Sequence, residues 1–435
     1  MQIAIIGAGI IGVTTAHALA ADGHEVTIFE RRSGVAAETS FANAGVLAPG
    51  YVTPWAGPGM PWKVAQHLFS RHAPVRLGGF NALAHLPWMW RWWRACSPAV
   101  HSKNRAAMQR LAHFSRAQQQ ALTKSLNLDY EQAQGYLVLL RTARDVALAQ
   151  GGLKLLGEMG VPFKLVNGQQ ARSIEPGLNE ATALEGAIHL AQDGVGNCRQ
   201  FAHLLKSEAQ RLGAHFRFEH RVLRITPGKT VELAYERLPH TEDGKAGDTL
   251  SLAPTSFDRV VVCAGHQANA LLRSIGLRLP LAPVYGYSVT APLRHVEGHP
   301  HFGPRSALMD EKYKVAISRL GQRIRVAGSA EIGGLPFRFN PAALRTLYQV
   351  LDDWFPGVAV WPQAQAWKGA RPMLPDGPPV LCASGAAGVW LNLGHGGSGW
   401  ALACGSARVL ADLVAGRASP IDMAGLDIAR LGIGR

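Results

Sequence analysis

The feature that most constrains the fold of this chain is an apolar segment near its start that runs directly into a glycine-rich turn. Residues 2–6 read Gln-Ile-Ala-Ile-Ile and are followed by Gly7, Gly9 and Gly12 in the spacing G-x-G-x-x-G. This pattern is typical of a strand, a tight turn and a helix that bind the pyrophosphate of a dinucleotide. Gly7 permits the turn, Gly9 lets the backbone approach the phosphates, and Gly12 lets helix and strand pack closely.

A helix and an acidic residue follow this turn in the order that such a site requires. Residues 13–21 are predicted to be helical, with the N-terminal amides and the positive end of the helix dipole facing the phosphates. Glu30 ends the next apolar run, 23 residues after Gly7. That is close to the roughly 20-residue spacing of an acid that binds ribose hydroxyls. The motif alone leaves FAD and NAD open, and a glycine turn that serves only packing is the structural alternative.

The composition indicates a globular protein with more than one folding unit. A chain of 435 residues, 47% hydrophobic and 17% charged, predicts two domains or one domain with a large insertion. The net charge of +14 favours anionic partners such as acidic lipid head groups, nucleic acid or anionic substrates. Because the basic residues are scattered and no nucleic-acid-binding motif accompanies them, we expect no nucleic-acid partner.

The cysteine pattern indicates a reducing compartment. The five cysteines lie far apart and form no CxxC pair, so the sequence predicts neither a disulfide framework nor a metal site. No basic leader or hydrophobic signal core precedes the first strand, and no stretch approaches the roughly 18 apolar residues that span a bilayer. We therefore expect a cytoplasmic protein whose membrane contact, if it has one, is peripheral and at the inner face of the cell membrane.

The order of the patterns predicts an α/β fold in which a Rossmann-like nucleotide-binding domain is interrupted twice by a discontinuous α+β domain for the substrate. The segments assigned to the nucleotide-binding domain are 1–50, 197–275 and 366–435, and those assigned to the substrate or cap domain are 51–196 and 276–365. Residues 241–248 are polar and contain glycine, which predicts an exposed hairpin tip.

A second glycine-rich loop precedes the last predicted helix. Residues 394–399 read Gly-His-Gly-Gly-Ser-Gly and lead into a helix from Trp400 to about residue 414. A helix N-terminus stabilises negative charge beside it, so with a flavin cofactor this end could face the pyrimidine edge of the ring and favour the anionic reduced form. The alternative is a glycine-rich connection without a functional role.

Two side chains are candidates for binding a substrate. The prolines that follow Arg371 predict a rigid turn around it, and a guanidinium is the natural bidentate partner of a carboxylate. A surface ion pair is the alternative for this arginine. Tyr313 alternates with apolar residues and could project a hydroxyl from a strand, whereas a half-buried tyrosine with a structural hydrogen bond is the simpler interpretation.

Five motifs, taken in chain order, resemble the bacterial FAD-dependent D-amino-acid dehydrogenases, which belong to the superfamily of D-amino-acid, glycine and sarcosine oxidases. They are the glycine turn at 7–12, Glu-Thr-Ser-Phe-Ala-Asn-Ala-Gly at 38–45, Tyr-Gly-Tyr-Ser at 285–288, Gly-Ala-Arg-Pro-Met-Leu-Pro-Asp-Gly at 369–377, and Gly-His-Gly-Gly-Ser-Gly-Trp at 394–400. The resemblance covers essentially the whole chain.

The resemblance implies FAD as the cofactor, with Glu30 and Arg31 at the adenosine and the backbone of Val222 at the adenine. The cofactor-binding residues that it implies are Gly7, Gly9, Ile10, Ile11, Gly12, Glu30, Arg31, Thr39, Ser40, Gly45, Val46, Leu47, Val222, Gly265, Gly394, His395, Gly396, Gly397, Ser398, Gly399 and Trp400. It also implies that Arg371 grips the substrate carboxylate with Tyr313 as its partner. Leu374 and the pair Gly397-Ser398 depart from the family pattern, which concerns side-chain preference more than reaction type.

The implied reaction is oxidative deamination of a D-amino acid. Hydride would pass from Cα to flavin N5, and water would hydrolyse the imine to a 2-oxo acid and ammonia. The resemblance implies that the electrons then pass to a quinone or respiratory carrier. A dehydrogenase of a cyclic imino acid such as D-hydroxyproline or D-proline and an oxygen-using amino acid oxidase are alternatives within the superfamily. A non-catalytic flavin-binding subunit is an alternative of a different class.

The tryptophan-rich segment 86–94 is the candidate for membrane contact. Six of the eleven tryptophans fall between Trp55 and Trp93. Tryptophan together with arginine suits the head-group interface of a bilayer. The same tryptophans could instead fill the core between the insertion and the flavin-binding domain.

Overall fold

A computed structural model describes residues 1–67, 70, 72–239, 249–297 and 302–433. The predicted hairpin tip at 241–248 lies outside these residues. The helices are α1 (Ile10–Ala21), α2 (Met60–His67), α3 (Leu86–Ala95), α4 (Pro98–Ser125), α5 (Ala143–Glu158), α6 (Gly168–Ile174), α7 (Cys198–Arg211), α8 (Ala268–Leu272), α9 (Pro341–Trp354) and α10 (Gly399–Val414).

The strands fall into three sheets. They are β1 (Gln2–Ile6), β2 (Glu25–Glu30), β3 (Val46–Leu47), β4 (Val75–Leu77), β5 (Ala133–Leu140), β6 (Lys164–Asn167), β7 (Gly186–Val195), β8 (His215–Phe218), β9 (His220–Thr226), β10 (Val231–Arg237), β11 (Leu250–Ser251), β12 (Thr255–Phe257), β13 (Arg259–Val262), β14 (Ala282–Pro292), β15 (Ala307–Asp310), β16 (Val315–Leu320), β17 (Arg323–Ile332), β18 (Gln365–Met373), β19 (Val380–Ala383) and β20 (Val389–Leu393).

The first sheet has six strands in the order β19-β20-β13-β1-β2-β8. Its central strand β1 pairs in parallel with β2 on one side and β13 on the other. Ile3 and Ile5 belong to the core beneath α1, whereas Ala4 and Ile6 belong to the core on the opposite face. Because both faces of β1 are buried, its residues form a continuous apolar run. The predicted strand, turn, helix and strand at the start of the chain are confirmed.

The second sheet has ten strands, with the main order β18-β14-β17-β16-β15-β5-β7-β3. Helix α9 packs on one of its faces through Leu347, Leu351 and Trp354. Its other face turns towards the first sheet. Strands β9 to β12 form a third, four-stranded sheet. Val222 of this sheet packs in the same core as residues of the first sheet.

The sheets do not follow the predicted domain division at every strand. Strands β3 and β18 fall in segments assigned to the nucleotide-binding domain, yet both hydrogen-bond into the second sheet, β3 to β7 and β18 to β14. Domain boundaries that are placed from motifs along the chain cannot predict hydrogen bonds between strands that are distant in the sequence. The division into two domains therefore stays a prediction, with these two strands as its exceptions.

Helix α3 carries four tryptophans that are divided between the interior and the surface. Trp88 and Trp92 are buried against Trp55 and the second sheet. Trp90 and Trp93 are exposed by 58% and 52% and contact one another. The core interpretation thus holds for one pair and the surface interpretation for the other. No helix among the described residues is long and apolar enough to cross a membrane.

Candidate active site

A deep cavity of about 570 Å³ lies between the first sheet and the free face of the second. One wall is formed by the carboxyl ends of the parallel strands β1, β2 and β13. Ligands of open α/β sheets bind at this edge. The opposite wall consists of β14, β16, β17 and β18, and the loop before α10 closes one end.

The glycine turn after β1 is shaped by contacts that leave no room for side chains. Gly7 has φ +103°, and a Cβ there would lie 2.7 Å from the carbonyl oxygen of Cys263. A Cβ on Gly12 would lie 1.8 Å from the carbonyl oxygen of Gly7. At Gly9 the added carbon would meet only Ser40 Oγ, at 3.5 Å. Gly7 and Gly12 are thus required by packing within the protein. Gly9 has no side chain that would keep a ligand in the cavity from contacting the backbone.

Glu30, the last residue of β2, lines the cavity next to the glycine turn. Its Oε2 accepts a hydrogen bond from the backbone N–H of Ala8 at 2.7 Å, and its Oε1 accepts one from the backbone N–H of Arg32 at 2.8 Å. Burial raises the pKa of this carboxyl. The neighbouring Arg31 pairs with Glu38, so that both charges are fixed at the cavity edge. A carboxylate held in this way can accept hydrogen bonds from ribose hydroxyls of a dinucleotide.

The segment 39–44 crosses the cavity and is fastened to the second sheet. The hydrogen bonds run from Thr39 Oγ1 to the carbonyl of Ala370 (2.7 Å), from Ser288 Oγ to that of Ala42 (2.7 Å), from Arg325 Nη1 to that of Asn43 (2.9 Å) and from Ser318 Oγ to that of Ala44 (2.7 Å). At its start, Ser40 Oγ accepts the backbone N–H of Ile10 at 3.1 Å. The segment therefore joins the first turn of α1 to the second sheet.

Arg371 projects into the cavity from strand β18, so the predicted turn at this residue is wrong: Arg371 and Pro372 pair with β14 instead. Its Nη1 donates to the carbonyl oxygen of Ser329 at 2.8 Å, and no carboxylate among the described residues pairs with it. Burial without a counter-charge lowers the pKa of this guanidinium to about 10, so that it stays protonated at neutral pH. A Cβ on Gly286 would lie 2.3 Å from Arg371 Nη2, which means that this glycine makes the space for the guanidinium. The result is a fixed, uncompensated cation facing a cavity.

The loop before α10 presents the N-terminal end of a 16-residue helix to the cavity. Gly394 and Gly396 have φ of +81° and +56°, values that favour glycine. His395 is buried, and its Nε2 lies 2.9 Å from Ser406 Oγ. Since Ser406 already donates to the carbonyl of Leu402, Nε2 is the donor in this contact. Burial lowers the pKa of His395 to about 3, so the imidazole adds no charge here.

Most of the residues predicted for the cofactor line this cavity. They are Gly7, Gly9, Ile10, Ile11, Glu30, Arg31, Thr39, Ser40, Val222, Gly265, Gly394, His395, Gly396, Gly397, Gly399 and Trp400. The predicted residues that do not line it are Gly12, Gly45, Val46, Leu47 and Ser398. Val46 and Leu47 form β3, which pairs with β7 at the edge of the second sheet. Arg371 lines the cavity, as predicted for the substrate side.

The structure does not bring Tyr313 to the cavity. The expected strand begins only at Val315, because Lys314 has φ +52° and ends a turn in the left-handed region. The backbone N–H of Tyr313 donates to the buried carboxylate of Asp310, and its ring lies 5.0 Å from the guanidinium carbon of Arg141. Lys314, the next residue, lines the cavity instead. The expectation that Tyr313 partners Arg371 finds no support in this arrangement.

Sequence reasoning missed the small residues that open the substrate side. Gly286, Ala316, Ala327 and Gly369 line the cavity from four neighbouring strands. Small residues that alternate with larger ones in apolar strands can indicate a cavity on one face of a sheet. That inference also requires knowing which strands are neighbours, here β14, β16, β17 and β18.

Comparisons with known proteins agree with this geometry. A family model described as FAD dependent oxidoreductase matches residues 2–413. A protein of Cereibacter sphaeroides named D-amino acid dehydrogenase is 40% identical over 433 residues, covering 99% of this chain and 95% of that protein. A second strain of the same species has a protein of the same name with the same identity and coverage.

Solved structures share the fold at low sequence identity. Glycine oxidase from Geobacillus kaustophilus superimposes with a TM-score of 0.74 at 22% identity, covering 100% of this chain and 99% of that one. L-Proline dehydrogenase from P. horikoshii gives a TM-score of 0.71 at 17% identity, with coverage of 100% and 99%. Iminodiacetate oxidase from Chelativorans sp. BNC1 also gives 0.71, at 20% identity and 98% coverage of both chains.

Proposed function

The chain belongs to the family of FAD-dependent oxidoreductases, and we propose that it oxidises D-amino acids to 2-oxo acids and ammonia and passes the electrons to a quinone or another acceptor that is not oxygen. Two curated relatives at 40% identity are named D-amino acid dehydrogenase. The single observation that carries the proposal is Arg371, a half-buried guanidinium without a carboxylate partner among the described residues, in the cavity that fits the cofactor.

The cavity residues fit FAD in two respects. Gly9 leaves the backbone open to a ligand, and α1 directs its N-terminal end towards that position. Glu30, the last residue of β2, lines the cavity with a carboxylate that would accept hydrogen bonds from an adenosine ribose. When bound, FAD supplies the two-electron acceptor for the hydride that leaves the substrate Cα.

The chain's own residues contribute binding and orientation. Arg371 binds the substrate carboxylate, which replaces the counter-charge that the protein does not provide. Ala316, Ala327 and Gly369 leave room above the sheet for the rest of the substrate. The amine reacts as the free base, whose lone pair assists departure of the hydride, so no side chain has to remove a proton from carbon. The N-terminal end of α10 would favour negative charge on a flavin bound beside it.

An anaerobic substrate screen tests this function. The purified protein should be yellow, and D-alanine should bleach its visible absorbance in the absence of oxygen. Ubiquinone-1 should then restore the colour faster than oxygen does. Faster restoration by oxygen would assign the chain to the oxidases, and bleaching by D-proline or D-hydroxyproline but not by D-alanine would assign it to the imino acid dehydrogenases. No bleaching with any D- or L-amino acid would refute the proposal.

We further propose that the protein reaches a membrane-borne acceptor through one exposed surface. This aromatic surface consists of Phe80, Leu83, Leu86, Trp90, Trp93 and Phe337, which are all more than half exposed. Pairing of β4 with β17 brings the two contributing segments together, since Gly78 N–H donates to the carbonyl of Ile332 at 2.8 Å. Exposed aromatic side chains at this density mark an interaction site.

The positive charge around the aromatic surface favours binding to an anionic lipid bilayer. Residues 39–128, which supply most of that surface, contain ten Lys and Arg and no Asp or Glu. Arg91 and Arg94 lie between and beside the exposed tryptophans of α3. Aromatic rings flanked by arginine, without a single carboxylate in the segment, match the head-group region of acidic lipids.

Vesicle sedimentation tests the aromatic surface. The protein should sediment with vesicles of phosphatidylcholine and phosphatidylglycerol more than with phosphatidylcholine alone. The triple variant Phe80→Ser, Trp90→Ser, Phe337→Ser should lose most of this binding, whereas Leu148→Ser, at an equally exposed leucine of α5, should not. Equal sedimentation of the triple variant and the wild-type protein would refute the membrane assignment.

A further inference from the structure

A buried charged cluster lies behind Arg371, on the reverse face of the second sheet. Lys368 alternates along β18 with Trp367 and Gly369, which line the cavity, so its side chain projects from the opposite face. That side chain is only 2% exposed. Its Nζ lies 2.8 Å from Glu331 Oε2 and donates at 2.8 Å to each of the carbonyls of Leu335 and Arg338. All three ammonium donors are therefore used inside the protein.

The cluster holds the two tyrosines that flank Gly286. Nζ of Lys368 lies 4.6 Å from the ring centre of Tyr285 and 5.1 Å from that of Tyr287. The Tyr287 hydroxyl donates to Glu331 Oε2, and burial, together with this carboxylate, raises the pKa of the phenol. The pairing of β14 with β17 shifts register between the two tyrosines, which allows both rings to approach the same ammonium.

Gly286 connects this cluster to the substrate side of the sheet. A Cβ added to Gly286 would lie 2.5 Å from Arg371 Cζ, so the guanidinium packs directly on the backbone of β14. From the other side Arg371 is held by one hydrogen bond, to the carbonyl of Ser329. A shift of the backbone at Gly286 would consequently move the cation that meets the substrate.

We propose that Lys368 and Glu331 are positioning residues for Arg371: by holding Tyr285 and Tyr287, they fix the backbone at Gly286 and thereby the guanidinium that binds the substrate carboxylate. The inference rests on the proposed function for its reaction and on the packing for its geometry. It assigns a role in substrate affinity to an ion pair that does not touch the substrate.

The test uses the FAD-loaded protein and two independent readouts. Removing one charge alone would leave the other buried and unpaired, so the main variant is the double substitution Lys368→Met, Glu331→Gln, which removes both. We expect its KM for D-alanine to rise about tenfold or more with a smaller change in kcat, because the cation is displaced. The Kd of benzoate, a carboxylate that is not turned over, should rise by a similar factor when followed by the flavin spectrum.

Two further variants keep the test decisive. Tyr287→Phe removes only the hydroxyl that meets Glu331, and it should raise the benzoate Kd severalfold even if the double variant does not fold. Lys154→Met, at a lysine whose side chain is 80% exposed, is the matched control and should change nothing.

The outcomes separate this inference from the proposed function. Bleaching of the wild-type protein by D-alanine, together with unchanged KM and benzoate Kd in the double variant and in Tyr287→Phe, would overturn the inference and leave the function standing. A lower melting temperature with both constants unchanged would show a purely structural cluster and overturn it as well. Absence of bleaching in the wild-type protein would instead refute the proposed function, and benzoate binding would still report on Arg371.

Discussion

Substitution of Gly286 by alanine should move Arg371 without disturbing the fold. The added Cβ would lie 2.3 Å from Nη2 and 2.5 Å from Cζ of Arg371. Both atoms belong to the far end of a flexible side chain, so the guanidinium and not the backbone gives way. The backbone of Gly286 lies outside the left-handed region, although the β14–β17 register shifts at this residue, so alanine can adopt its conformation. To restore ordinary van der Waals contact, the guanidinium has to retreat by about 1 Å.

A displacement of this size has a large kinetic consequence. Misplacing a positioning group by about 1 Å costs on the order of 100-fold in rate, or about 3 kcal/mol. We therefore expect Gly286→Ala to lower kcat/KM for D-alanine about 100-fold, mainly through KM, while the FAD content stays at the wild-type level. Anaerobic flavin reduction measured over a range of D-alanine concentrations gives both constants.

A second glycine provides the control for Gly286→Ala. Gly151 lies in α5, and among the described residues a Cβ there would meet no atom within 4 Å. Gly151→Ala should leave the kinetics unchanged. If Gly286→Ala kept kcat/KM within about twofold of the wild-type value, the packing of Arg371 on Gly286 could not be what positions the cation.

Three further predictions address the substrate clamp, the cofactor turn and the pH dependence of stability. Arg371→Ala should raise KM by orders of magnitude with FAD still bound, because a charge-assisted contact is lost; unchanged kinetics would remove Arg371 from the site. Gly12→Ala should abolish FAD retention, because its Cβ would lie 1.8 Å from the Gly7 carbonyl oxygen, and a full FAD content would contradict this. Burial raises the pKa of Glu175 from 4.5 to about 7, so the folded state binds more protons than the unfolded state between those values and this residue's contribution to stability falls as pH rises through them. The free energy of unfolding of Glu175→Gln, relative to that of the wild-type protein, should increase between pH 4.5 and pH 8 by up to about 3 kcal/mol, measured by denaturant titration. The same difference between the two proteins at both pH values would contradict this prediction.

The cofactor half of the site could be predicted because its signals are local. Gly7, Gly9 and Gly12 are constrained by a single turn, and Glu30 follows after one helix and one strand. Arg371 was recognisable from its proline-flanked motif. In each case the residues that determine the geometry lie close together in the sequence.

The substrate half depends on contacts that the sequence does not display. Tyr313 was expected on a strand from apolar alternation, but the left-handed backbone at Lys314 ends a turn there. The role of Gly286 required knowing that β14 lies beside β18, about 80 residues later in the chain. The division of the α3 tryptophans was available from helical periodicity, since Trp88 and Trp92 are four residues apart and share the buried face.

We propose above all that Arg371 binds the substrate carboxylate in the cavity between the first and second sheets, where the flavin would lie. Anaerobic stopped-flow reduction of the wild-type protein and of Arg371→Met by D-alanine tests it most directly. We expect complete bleaching of the wild-type flavin at saturating D-alanine and at least a 100-fold higher D-alanine concentration for half-maximal rate in the variant, with equal FAD content in both. Equal concentration dependence in the two proteins, or no bleaching of the wild-type flavin, would contradict it.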